Sequence, residues 1–192
     1  MLIQKANPTG VDWYISKLQR HMHSKLIAAW GLADADQYHC HGRCYRNRRE
    51  DGYVAEVYNG QNEYSKDLYW DDNLSVVSFF GIGFQAQTEG LSFRQDIHLV
   101  FFGNLSKLAL KNGIGEEIDY RGDEEFRRSV VNVIGQYGFF GFRITSVETG
   151  IENVLREYPG SLRDQGLKNV DLQPVHCFRV NLTLLYNPNK TC

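Results

Sequence analysis

Proline and cysteine are both scarce, with four of each in 192 residues. So little proline excludes a proline-stiffened linker protein. Four cysteines, Cys40, Cys44, Cys177 and Cys192, are too few and too unevenly spaced for a disulfide-stapled scaffold. A reducing compartment is the expectation, with Cys192 in a frayed tail. No window approaches the ~20 consecutive apolar residues that a membrane-crossing helix needs. The opening MLIQKANPTG also lacks the basic stretch and apolar run of a secretory signal. No membrane partner is expected. Positive charge is not in excess either, since 21 Lys and Arg face 23 Asp and Glu for a net charge of −2. That argues against strong general affinity for nucleic acid, which needs a basic surface to release counterions.

What the chain does have is a core. Hydrophobic residues make up 42% of it, and eleven Phe with eleven Tyr suit a sheet-rich body. Over residues 9–31, Val11, Tyr14, Ile15, Leu18, Met22, Leu26 and Trp30 recur at helical intervals on one stripe. Thr9 or Asn7 is the expected cap and Gly31 the expected stop. LSVVSFFGIG reads as a strand buried on both faces. FRQDIHLVFF reads as a strand with Gln95, Ile97, Leu99 and Phe101 on one side and Asp96, His98, Val100 and Phe102 on the other. Asn104 is placed to cap a short turn over LSKLAL. DEEFRRSVVNVIGQYG is a helix whose first-turn carboxylates suit the positive end of the macrodipole. FGFRIT is a short strand, and TGIENVLREY is a third helix stopped by Pro159 and Gly160. VHCFRVNLTLLY alternates cleanly, with Arg179, Asn181 and Thr183 expected to look outward. The fold class is α+β, a mainly antiparallel sheet with helices packed on one face. A single domain spans 1–192, with residues 36–73 as a polar arm or hairpin insertion.

The stretch YHCHGRCYRNRR concentrates His39, Cys40, His41 and Cys44 within six positions. Zinc takes four ligands in a tetrahedron, usually from two well-spaced pairs. Here the Cys40–Cys44 gap is wrong for a tight knuckle, and the nearest second pair, His176–Cys177, is distant in sequence. Polar surface residues are the favoured reading. A zinc-binding module or metal-dependent enzyme using these four residues is the competing one, and a soluble adaptor binding a partner through 36–73 is a third.

Asp96 and His98 share a strand face, but no Ser or Cys sits in a strand-to-helix elbow to act as nucleophile. They are read as a hydrogen-bonded pair. GIG at 81–83 and NGIG at 112–115 lack the rest of a phosphate-binding loop. Asp71 and Asp72 beside Trp70 are read as the start of a turn. No catalytic residue, cofactor or metal is expected. The arginines Arg43, Arg46, Arg48 and Arg49 have an acidic counterpart in Glu116, Glu117, Asp119, Asp123, Glu124 and Glu125. Opposite patches on one chain suit a head-to-tail contact between copies, and two solvated charge runs are the alternative reading.

The segments VDWYISKLQRHMHSKL, LSVVSFFGIG, RQDIHLVFFGNLSKL, DEEFRRSVVNVI, TGIENVLREY and VHCFRVNLTLLYNP occur here in an order that resembles a known family. It is that of the tail-terminator and head–tail connector (neck) ring proteins of tailed bacteriophages, including those of the Bacteroides-infecting crAss-like group. The likeness covers about residues 9–31 and 74–188. It implies a tail-terminator-like subunit of a hexameric or dodecameric ring in the virion, joining portal or head to tail. Other neck, portal and tail proteins would be its partners. Genomic DNA would pass through the lumen without sequence-specific binding. The resemblance brings no catalytic residues, and the 36–73 segment is longer than the compact form of that family requires.

Overall fold

The computed structural model describes the chain apart from residues 50–51, 62, 66–67, 69–72, 88–91, 113, 139–140, 159–172 and 188–192. Asp71, Asp72, Trp70, Pro159, Gly160 and Cys192, and the readings attached to them, lie outside the described residues.

The elements in chain order are β1 (Leu2–Ile3), α1 (Val11–Ala29), β2 (Tyr38–Arg49), β3 (Gly52–Tyr58), β4 (Tyr64–Ser65), β5 (Val76–Gln87) and β6 (Phe93–Asn104). They continue with α2 (Asp123–Gln136), β7 (Phe142–Thr149), α3 (Ile151–Val154) and β8 (Val175–Tyr186). The strands form one sheet in the order β4-β3-β2-β5-β6-β8-β7, with β1 beside β2. Every pairing is antiparallel except β1–β2 and β2–β5. The chain is thus α+β with a mainly antiparallel sheet.

The apolar stripe of α1 explains its position. Tyr14, Ile15, Leu18, Met22 and Leu26 are buried against the sheet, and each fully buried aliphatic side chain contributes roughly 1.5–3 kcal/mol. The helix starts at Gly10 without a side-chain cap, so neither Asn7 nor Thr9 serves as one. It ends where Gly31 takes a left-handed φ of 63°, a conformation glycine adopts without a Cβ penalty. Asn104 does cap the short 3-10 turn at Leu105–Lys107, its side chain accepting from the Ser106 N–H at 3.1 Å. In α2, Phe126, Val130, Val133 and Ile134 are buried on the same sheet face as α1. At Gly103 of β6 an added Cβ would lie 2.4 Å from the Phe126 ring, which shows how closely α2 seats there.

Two apolar clusters lie on the two sides of the sheet. Ile97, Leu99, Phe101, Phe178, Val180, Leu182 and Leu184 face α1 and α2. Val77, Phe79, Val100, Phe102 and Cys177 face the other way, where Val154 of α3 and the following Leu155 and Tyr158 cover them. Two helices therefore share one face and the single-turn third lies on the opposite one.

Residues 36–73 divide into two parts. Tyr38–Arg43 is not an arm: it forms an inner stretch of the sheet, with Tyr38, Cys40 and His41 buried between β1 and β5. Several polar groups along it are met by partners from α1 and β5. The buried Gln19 donates to the carbonyls of Ile3 and Cys40 at 2.8 and 2.6 Å, and the Tyr38 hydroxyl bonds Ser78 at 2.9 Å. Only from Cys44 onward does β2 pair with β3 as a hairpin reaching beyond β5.

Candidate functional site

A β-bulge decides the fate of the His/Cys stretch. Cys40 lies opposite Ser78 and Arg43 opposite Phe80, so three residues span two and the strand's facing inverts. Cys40 enters the cluster under α1, whereas Cys44 enters the cluster under α3. The two thiols are thus on opposite sides of the sheet, and burial pushes them up to about 11 and about 12. His39 and His41 are near each other, with ring centroids 6.0 Å apart. His176 and Cys177 belong to β8, separated from β2 by β5 and β6. Among the described residues, no three His, Cys, Asp or Glu side chains converge as a metal site would require. The four-ligand reading of His39, Cys40, His41 and Cys44 therefore finds no shared centre here.

The same bulge divides the arginines. Arg43 is on the α1 face, 3.9 Å from Asp12 and stacked on Tyr45 at 4.7 Å. Arg46 and Arg48 are exposed on the other side of the ribbon, and Arg46 donates to the Glu157 carbonyl at 3.3 Å. The side chain of Arg49 is outside the described residues.

The acidic run is partly neutralised within its own segment. Asp119 pairs with Arg121 at 2.9 Å, Asp123 with Arg127 at 2.7 Å and Glu125 with Arg128 at 3.7 Å. Glu116 accepts from Asn112 at 3.0 Å. Glu117 and Glu124 are exposed without an ion pair among the described residues. Within NGIG, the Asn112 carboxamide oxygen accepts from the Ile114 and Glu116 N–H groups. GIG at 81–83 lies within β5.

A further polar grouping brings together residues that are distant in sequence. It lies on the α3 side of β6, β8 and β7, beside an open cleft of about 400 Å³. Strand alternation brings Asp96 and His98 to one face, yet they do not bond each other. Asp96 pairs with Arg94 at 3.5 Å, while His98 Nε2 bonds the Tyr158 hydroxyl at 2.7 Å and lies 3.6 Å from Glu157. Gly81, paired with His98 across β5–β6, makes this possible, because a Cβ there would sit 1.9 Å from His98 Nε2.

Arg179 was expected outward but is 4% exposed. Its Nη2 donates to Glu157 at 2.8 Å and its Nε to Asn181 at 2.7 Å, whereas its Nη1 has no hydrogen-bond partner among the described residues. Asn181 in turn donates to Ser146 and Glu148, and Glu148 pairs with Arg156 at 3.4 Å. The signal that could have found this network is the alternation of polar residues along the outer faces of β6 and β8, read together with REY at 156–158.

The electrostatics follow from burial. His98 is lowered from 6.5 to about 4, first by burial and then by the neighbouring Arg179 charge, which together outweigh the pull of Glu157. Burial, with the nearby Cys44 and Glu157, raises Tyr158 well above the usual tyrosine range. Burial opposes ionisation of Glu157, but the hydrogen bond from Arg179 and the charges of His98 and Arg179 overcome it and hold the carboxyl below its ordinary value. At neutral pH, His98 and Tyr158 are a neutral bonded pair beneath a lattice of fixed donors and acceptors. That arrangement is suited to recognising polar or charged groups. No protein-family model matches the chain, and no curated protein matches it in sequence. Among the described residues, no helix is long and apolar enough to cross a membrane.

Proposed function

We propose that this chain is a virion structural protein, a subunit of a tail-terminator-like or connector ring in the neck or tail of a tailed bacteriophage. The observation that carries the reading is the sheet itself. Its last strand, β7, is eight residues long and paired only with β8 among the described residues, which leaves an open edge beside largely exposed side chains. A cyclic assembly joins two different surfaces of the same chain, and opposite lateral ends of one sheet are natural candidates. Charge distribution supports the same geometry. The Arg46–Arg48 ribbon lies toward the β3 end, and the acid-led α2 packs over β6, β8 and β7. On this reading six or twelve copies enclose a channel through which genomic DNA passes without sequence-specific contacts. Portal, neck or tail proteins stack on its two rims.

Native mass spectrometry and negative-stain imaging of the purified chain test this. Closed rings with sixfold or twelvefold symmetry are expected. A strict monomer at high concentration, absent from purified particles, would sink the proposal.

A further inference from the structure

We infer that the cleft beside Arg179 is the socket of a head-to-tail contact, and that its occupant is the acidic loop before α2 of a second copy. This rests on the ring reading above and places the joint between the α3 face and the loop before α2 instead of at the lateral ends of the sheet. The cleft lining balances three arginines, Arg94, Arg156 and Arg179, against Asp96, Glu148 and Glu157. Two bordering arginines tip the balance: Arg46, bonded to the Glu157 carbonyl, and Arg143, exposed directly opposite Thr183. Among the described residues, a chain with a net charge of −2 thus has a locally positive groove. Unmet hydrogen bonds of both signs occur there among the described residues: the buried Arg179 Nη1 lacks an acceptor, while Asp96 Oδ1 and Glu148 Oε2 lack donors. The rim is apolar: Phe84, thrown outward by the β5 bulge, is 73% exposed, and Leu185 is 53% exposed.

The proposed occupant has the complementary pattern. Ile114 is 80% exposed and Tyr120 47% exposed, with the exposed Glu117 and Glu124 nearby in sequence. The Asn112 hydrogen bonds and the Lys111–Glu117 bridge hold the loop in shape, so little ordering entropy is lost on docking. The loop follows the far end of β6 and packs on the α1/α2 side, where Ile118 bonds Leu110 and Ala109 bonds Trp30. The cleft lies at the opening end of β6 on the other face. One copy cannot fill its own socket, whereas a row of copies can, each giving its loop to the next.

The test places a photo-crosslinking benzoylphenylalanine at Ile114 in the full chain and maps the adducts by mass spectrometry. Adducts between copies in the segments holding Phe84, Arg94 or Leu185 are expected. Adducts between copies anywhere else overturn this socket while leaving self-association intact. A chain that stays monomeric overturns the ring reading and the socket with it.

Charge exchange gives a second measurement. Arg143→Glu and Glu124→Arg should each weaken self-association about tenfold, and combining both in one chain should restore it. No recovery in the double variant refutes the pairing. Short duplex DNA that binds the native chain and is lost in Arg143→Glu, with oligomeric state unchanged, would replace the acidic loop with phosphate.

Discussion

His98 is held uncharged by burial beneath Tyr158 and beside Arg179, which makes stability depend on pH in a definite direction. Above its ordinary value of 6.5, His98 is neutral in both folded and unfolded chains and contributes no slope. Between 6.5 and about 4 only the unfolded chain binds the proton, so folding weakens as pH falls, and below about 4 the loss levels off. The gap corresponds to roughly 3 kcal/mol. Glu157 adds its own loss only below about 4.5, its ordinary value, so it contributes nothing between 6.5 and 4.5. Urea unfolding of native chain and His98→Asn across this range should show the slope in the first and a flattened one in the second. Equal slopes would mean that another group carries the dependence. At this scale the alternation of β6 gave the facing of His98 correctly, but not its partner. Arg179 shows why: a two-residue period assigns a side chain to a face, while what lies over that face comes from residues more than twenty positions away, here Glu157.

The two long helices were legible from their stripes, since Leu18, Met22 and Leu26 in α1 and Phe126, Val130 and Ile134 in α2 are buried where the 3.6-residue period puts them. Strand β2 was not, because its polar composition suggests solvent. The residues that make it an inner strand are Gln19 and Ser78, which satisfy it from α1 and β5. The bulge that separates Cys40 from Cys44 has no local signal beyond Gly42. Around α2, two glycines have opposite consequences. Gly103→Ala drives a methyl into the Phe126 ring at the helix–sheet seat and should destabilise the chain by about 1–3 kcal/mol. Gly135→Ala, exposed in the last turn of α2 with no atom within 4 Å of the new Cβ, should stabilise it by about 0.5–1 kcal/mol. Thermal or urea unfolding decides both signs, and a neutral Gly103→Ala would show that α2 seats less tightly on β6 than this packing requires.

Across the whole molecule, the sequence conveyed the α+β class and the separation of charge, but not where the positive charge gathers. The run Arg43 to Arg49 looked like one patch, yet the bulge divides it. The denser group collects arginines from β6, β7, β8 and the turn after α3, which only the strand order brings together. A nearly neutral chain with such segregated charge should assemble in a salt-sensitive way. Exposed charge pairs steer encounter and register, and ions screen them over a Debye length of about 10 Å at 0.1 M, shrinking to about 3 Å at 1 M. Contacts made instead by apolar burial, or by strand addition along β7, would hold or strengthen as salt rises. Sedimentation velocity at a fixed protein concentration, from about 50 mM to about 500 mM sodium chloride, separates the two. The charge-led contact predicts association weakening by about tenfold or more over that range, mainly through slower encounter. Association that is unchanged or firmer at high salt would instead assign the joint between copies to the open β7 edge.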